Sequence, residues 1–411
     1  MSSKTVDVAI IGGGAAGFFA AAQLVKIAPY LSLTLLEKGN QFLSKVKISG
    51  GGRCNVTHAC FDAKQLATFY PRGNRELVGP FHRFGPSEVI TWFEESGVAL
   101  KTEVDNRMFP VTNSSQTIID ALMNAVQQPQ VELLLQNGVQ SISRLGDGSC
   151  LLRTNRHEIE ARAILFSSGS GGQMWSIIKD LGVSIVDPVP SLFTFNCKSA
   201  LIKGLMGVSI PHVGITISGT KWSSEGPLLF THWGLSGPAI LKLSAWAARD
   251  LAERNYQFEV HIDFLPQIGL DELLQMLLSW KQIHPRKAVR TITPEGVPSA
   301  LWSKLCEVND IQQLSFADAS KNHLRKLAEQ LKKMAVSIEG KSTFKDEFVT
   351  AGGVALKEVD FKTMASKQFP NLFFAGEVLN IDAVTGGFNF QAAWTTAFLA
   401  AHGIADFFNH P

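Results

Sequence analysis

The sequence predicts an α/β fold: a parallel-sheet domain made from both ends of the chain, interrupted by an inserted β domain and a small helical domain. Three observations predict it. An apolar strand, a glycine turn and an Ala-rich helix open the chain at residues 6–28. Residues 192–262 are rich in β-branched residues and glycine, and helical stripes follow to residue 334. Glycine and apolar strand texture returns at 349–391, ahead of a long apolar helix.

Val6-Asp7-Val8-Ala9-Ile10-Ile11 is nearly all apolar, as a parallel strand covered on both faces must be. Gly12 allows a tight turn, Gly14 lets backbone approach a pyrophosphate, and Gly17 lets the helix pack on the strand. The helix aims its free N–H groups and positive dipole end at the phosphates. Glu37 ends the second strand 20 residues beyond Gly17, where it can accept bonds from both ribose hydroxyls of an adenosine. An ordinary glycine turn would leave that acid an accident. The unit reads as a Rossmann-like dinucleotide fingerprint. Glu37 would repel a 2′-phosphate, which disfavours NADP; the motif alone leaves NAD and FAD open.

At 411 residues the chain should hold two or three domains. Its formal net charge of +2 provides no global field for nucleic acid or membrane, so neither is expected as a partner. No apolar run reaches the length of a transmembrane helix, and no secretory pattern opens the chain. The five cysteines are scattered without a CxxC, which argues against disulfides or zinc and suits a reducing cytoplasm.

After the second strand comes Lys45-Val46-Lys47-Ile48, then Ser49-Gly50-Gly51-Gly52-Arg53-Cys54-Asn55. Three glycines remove side chains where a flat ligand must approach. Ser49 and Asn55 can bond polar ring edges, and Arg53 can meet a phosphate or carboxylate. Helices are expected over 87–96 and 116–127, stopped by Gly97 and near Pro129. Short β segments follow, and Ala163-Ile164-Leu165-Phe166 is a buried strand entering Ser167-Ser168-Gly169-Ser170.

From Pro188 the texture becomes β-rich. Within it lies Thr231-His232-Trp233-Gly234-Leu235-Ser236-Gly237-Pro238, with Ser236 expected to cap a helix running to about Glu253. Leu270, Leu273, Leu274, Leu277 and Leu278 form one helical stripe, and Leu324, Leu327 and Leu331 another. Lys321, Arg325, Lys326, Lys332 and Lys333 read as a solvated helix face, since Asp318 and Glu329 interrupt them and no aromatic platform accompanies them.

The closing segment decides FAD over NAD. A strand ending in Gly376-Glu377 sets an acid beside a ribitol and diphosphate. The Gly386-Gly387 turn starts a helix whose N-terminus would stabilise the negative charge of reduced flavin. Only one dinucleotide fingerprint is present, so NAD(P)H or O2 remains open as the flavin's redox partner.

Gly12 to Gly17, Ile48 to Asn55, Thr231 to Pro238, Thr350 to Asp360 and Gly376 to Asn389 together resemble the bacterial flavoproteins that include aminoacetone oxidase and the BaiN-type NAD(P)/FAD-dependent oxidoreductases. The likeness spans nearly the whole chain in order. It departs at Asn380, where that family usually has Asp, and at Ser167-Ser168-Gly169-Ser170. It implies an FAD-binding domain over 1–190 and 341–411, a β-rich substrate domain over 191–264 and 335–350, and a helical domain over 265–334.

The candidate cofactor residues are Gly12, Gly14, Ala15, Ala16 and Gly17 at the first turn, with Glu37, Lys38 and Lys45 after the second strand. Ser49, Gly50, Gly51, Arg53 and Cys54 come from the second glycine stretch, and Val139, Ser168 and Gly169 from the middle strands. Gly376, Glu377, Asp382, Gly387, Phe388 and Asn389 come from the closing segment. The catalytic candidates are Cys54, Asn55 and His232, and no metal-ligand spacing appears. The expected function is an FAD-dependent oxidoreductase acting on a small organic substrate in a cleft between the FAD and β domains. Two alternatives stand beside it: an NAD(P)H-using flavin reductase of an enone- or quinone-like substrate, and a non-catalytic flavoprotein redox sensor.

Overall fold

A computed structural model describes residues 3–342 and 349–409; part of the junction expected at 341–350 therefore lies outside the described residues. The chain forms two compact units, residues 1–189 with 349–411 and residues 190–348.

The first unit is built on strand β1 (Ser3–Ile11), helix α1 (Ala15–Ile27) and strand β2 (Leu33–Leu36). Five strands run parallel in the order Val131–Leu134, β2, β1, Glu158–Phe166, Leu372–Phe374. Two parallel neighbours flank β1, and helices cover it, so Val8, Ala9 and Ile10 are fully buried. The strand order reverses at β1, and in open parallel sheets that switch point is where a ligand crevice forms. Antiparallel strands extend the sheet: Val139–Arg144 and Cys150–Thr154 beyond Glu158–Phe166, and two short strands beside Leu372–Phe374.

The second glycine stretch lies at the end of a short helix. Ser44–Gly52 is a helix, α2, broken at Ser49, Gly50 and Gly51, where the backbone leaves helical geometry. Gly50 and Gly51 take φ of +57° and +67°, which suits residues without a Cβ. The closing helix, Phe388–Asn409, packs against α1 and buries its Ala-rich face.

The second unit holds a seven-stranded antiparallel sheet in the order 334–338, 258–263, 209–217, 223–230, 234–236, 194–196, 340–342. Its two edge strands are consecutive in sequence and joined at Glu339, so the sheet curls toward closure. The helices Leu270–Ile283, Ser299–Val308 and Lys321–Lys332 share one hydrophobic core with it: Leu273, Leu277, Leu305, Leu324 and Leu327 lie in the same cluster as Val260 and Ile262. The expected helix after Ser236 begins at Pro238, with Gly237 as its cap at φ +99°. A Cβ there would stand 2.8 Å from the Pro227 carbonyl oxygen, so serine cannot take the capping role in that register.

Candidate functional site

The site grows from the turn between β1 and α1. Gly12 has φ +113°, and a Cβ on it would meet the Ser167 carbonyl oxygen at 2.5 Å. A Cβ on Gly17 would meet the Gly12 carbonyl oxygen at 2.1 Å. These two glycines bring helix, turn and the Glu158–Phe166 strand into contact. Gly14 differs: nothing lies within 4 Å of where its Cβ would be. It is the N-cap of α1 and has no side-chain cap, so the helix's first N–H groups face open space.

Glu37 is held at the tip of β2 by two backbone donors, the Gly13 N–H at 2.9 Å and the Gly39 N–H at 2.7 Å. Each carboxylate oxygen takes one bond and keeps a lone pair for a further donor. Glu37→Ala is therefore expected to weaken FAD binding by about 1–3 kcal/mol, the range for hydrogen bonds to a charged group. Fluorescence titration of the apoprotein measures it; unchanged affinity would remove Glu37 from the ribose contact.

In front of this turn lies a cavity of about 390 Å³. Gly12, Gly14, Ala15 and Ala16 form its floor, with Glu37, Lys38 and Lys45 along one side. Val139, Ser168 and Gly169 come from the neighbouring strand ends, and Gly376, Glu377 and Asn389 from the closing segment. Lys45 and Glu377 pair at 2.8 Å, so α2 and the closing segment meet at the cavity. The Ser168 hydroxyl is buried on this wall and has no hydrogen-bond partner among the described residues. Sequence reasoning passed over Asn137, Gly138, Gln173, Met174 and Phe390, which also line it. Asn137 and Gly138 follow the Val131–Leu134 strand, and the rule that ligands bind beyond the carboxyl ends of parallel strands was the available signal.

The remaining candidates lie outside that wall. Gly17 sits behind it in the helix–strand contact. Arg53 pairs with Glu103 at 2.7 Å, its guanidinium 4.0 Å from the Phe109 ring centre. Asn55 clamps two segments: its amide donates to the Thr57 and Met108 carbonyl oxygens (2.9 and 3.2 Å) and accepts from the Gly387 N–H (2.9 Å). A Cβ on Gly387 would lie 2.6 Å from the Thr57 carbonyl oxygen, so only glycine admits this approach. Phe388 stacks on Phe69 and His58, with centroids 4.2 and 4.6 Å away, and its carbonyl accepts from the Tyr70 hydroxyl. Asp382 is fully buried in an ion pair with Arg72. Ser49, Gly50 and Gly51 form the break in α2. His232 is exposed on a turn of the second unit.

Cys54 is fully buried, and burial pushes its thiol up to about 12, against a smaller opposing effect of a hydrogen bond with Ser49. It is a neutral thiol at neutral pH and lacks thiolate reactivity. Native protein should leave Cys54 unalkylated by iodoacetamide, whereas denatured protein should label, as peptide mass spectrometry can read. The folded pKa lies above the ordinary 9.0, so this thiol's contribution to stability is constant below pH 9.0 and is lost as the pH climbs from there to about 12.

These residues fit FAD. Nothing fills the space at Gly14 where a pyrophosphate would come, Glu37 lines the same cavity with lone pairs to spare, and the orphaned Ser168 hydroxyl offers a polar contact. The cavity continues to Glu377 and Asn389, which a dinucleotide longer than ADP would reach.

Comparison with known proteins agrees. A ribosomal RNA dihydrouridine synthase of Haemophilus influenzae is 27% identical over 96% of this chain and 98% of its own length. A 3-dehydro-bile acid delta(4,6)-reductase of Clostridium scindens is 24% identical over 97% of this chain and 99% of its own. A 3-ketosteroid delta1-dehydrogenase from Sterolibacterium denitrificans, solved with 1,4-androstadiene-3,17-dione, superposes with a TM-score of 0.53 at 13% identity, covering 98% of this chain and 100% of that one, which shows a shared fold. The family profile described as HI0933-like protein Rossmann domain matches residues 6–403, and the chain therefore belongs to that FAD-binding oxidoreductase family.

Proposed function

We propose that the protein is an FAD-dependent reductase that saturates a carbon–carbon double bond conjugated to a carbonyl, with uracil in ribosomal RNA as its substrate. The observation that carries this reading is a chemistry shared by two otherwise different relatives. One is named for making dihydrouridine and the other for reducing the 4,6 double bonds of a 3-dehydro bile acid. In both substrates a carbonyl activates the distant alkene carbon toward hydride. A small enone is the second reading, favoured by the bile-acid relative.

When bound, FAD supplies hydride transfer to such a carbon. The chain's residues bind and orient it. The α1 N-terminus would hold the pyrophosphate, and Glu37 would accept from the ribose. Asn55, holding the Gly387 N–H, fixes where the closing helix begins, and the positive end of that helix would stabilise negative charge on the reduced flavin. Cys54, a buried neutral thiol hydrogen-bonded to Ser49, takes no part in proton transfer. The overall balance is NAD(P)H, one proton and uracil giving NAD(P)+ and dihydrouracil. NAD(P)H would dock without a glycine fingerprint of its own. The net charge of +2 rules out a global attraction to RNA and leaves local contacts to hold it.

The test is anaerobic. NAD(P)H should bleach the flavin, and unmodified ribosomal RNA should restore the oxidised spectrum while its uridines gain two hydrogens by mass spectrometry. If an enone alone reoxidises the flavin, the second reading replaces the first. If neither does, conjugated-alkene reduction is wrong.

A further inference from the structure

We infer that the turn formed by residues 231–234 in the second unit is a base-stacking platform for single-stranded RNA. The inference rests on the uridine reading above. The turn joins strands Ser223–Phe230 and Gly234–Ser236, which pair through Leu229 with Ser236 and Phe230 with Leu235.

The turn is rigid. The Thr231 N–H donates to the Gly234 carbonyl at 2.8 Å, and the Gly234 N–H donates to the Thr231 hydroxyl at 3.2 Å. Gly234 has φ +146°, and a Cβ there would stand 2.2 Å from the Phe195 carbonyl oxygen. The Cys197 N–H donates to the Trp233 carbonyl at 2.9 Å, fixing the turn from the side. On this fixed backbone Trp233 is 63% exposed, next to an exposed His232. The core of this unit takes large aromatic residues readily, with Phe193, Phe195, Phe230 and Trp302 all buried. An indole held outward on an immobile turn loses little entropy when it stacks.

The surroundings carry positive charge. Lys198 follows Cys197 directly, and Lys203 lies in the next turn; both are exposed, and neither has an ion-pair partner among the described residues. The Gly207 N–H bonds to the Phe230 carbonyl at 2.9 Å, which brings Met206, 53% exposed, to the base of the hairpin. Glu339 is the carboxylate within electrostatic reach of Cys197. An aromatic face with flanking cations is the arrangement by which proteins hold unpaired nucleotides, stacking on the base and tracking the phosphate. The aromatic platform missing from the basic helix face at 321–333 is present here.

The experiment uses FAD-loaded full-length protein and a fluorescein-labelled oligouridylate, read by anisotropy. Trp233→Ala should weaken binding by about tenfold or more, while Trp233→Phe keeps most of it. Replacing Lys198 and Lys203 with Glu should lower the slope of log affinity against log salt by about 0.7 per lysine. FAD content checks that each variant is folded. If Trp233→Ala binds like the parent while the parent still forms dihydrouridine in ribosomal RNA, the platform is refuted and the uridine reading stands. If the parent neither binds the oligouridylate nor forms dihydrouridine, the uridine reading fails and takes the platform with it.

Discussion

Gly14→Val is expected to yield a folded, colourless protein. Nothing beyond the adjoining backbone lies within 4 Å of the Gly14 Cβ position, so a side chain can start there without displacing another part of the protein. It projects instead into the space in front of the α1 N-terminus, where a pyrophosphate must come within hydrogen-bond distance of backbone N–H groups. Gly17→Ala makes the contrast. Its single methyl would sit 2.1 Å from the Gly12 carbonyl oxygen, so the helix must separate from the strand. The first variant should keep its melting transition and lose FAD; the second should lose both. Flavin absorbance per protein and circular dichroism melts distinguish them. A yellow, fully loaded Gly14→Val protein would mean that the phosphates lie elsewhere.

Arg72→Met is expected to destabilise the FAD-free protein by about 3–5 kcal/mol, because it removes the guanidinium from a carboxylate with no access to water. Arg72 and Asp382 also face each other across an antiparallel backbone bridge, so the pair ties residue 72 to the loop that precedes Gly387. Adding Asp382→Leu should recover most of the loss, since a buried ion pair exchanged for packed apolar groups is often neutral. Urea unfolding at constant slope measures both variants. A loss below about 1 kcal/mol for Arg72→Met would class the pair with weak surface bridges.

The parts of the site legible in the sequence were those in which neighbours in the chain are neighbours in space. The first turn, Glu37 and the Gly376-Glu377 strand end follow from strand and helix periods and from one fixed distance along a βαβ unit. Residues brought together from far apart were not legible in the same way. Arg72 meets Asp382 across 310 positions, and Asn55 meets Gly387 across more than that. Composition marks these as polar residues near glycine but gives no partner. Arg53, Asn55 and Asp382, expected from the sequence as site residues, each also make a bond that closes the structure on itself. For Cys54 the sequence leaves a reactive and a packed thiol both open, and its burial is set by packing that no sequence spacing shows.

The parallel pairing of Leu372–Phe374 with Ile164–Phe166 has a consequence for biosynthesis. At about 5–20 residues per second, the ribosome delivers the second partner roughly 10–40 s after the first. Until then the Glu158–Phe166 strand lacks that parallel neighbour, and the nascent chain shows an unpaired apolar edge of the kind that recruits chaperones or aggregates. Flavin capture is thus a late event in the life of each molecule, and slowing translation within the insert should lengthen the interval in which the chain is most vulnerable.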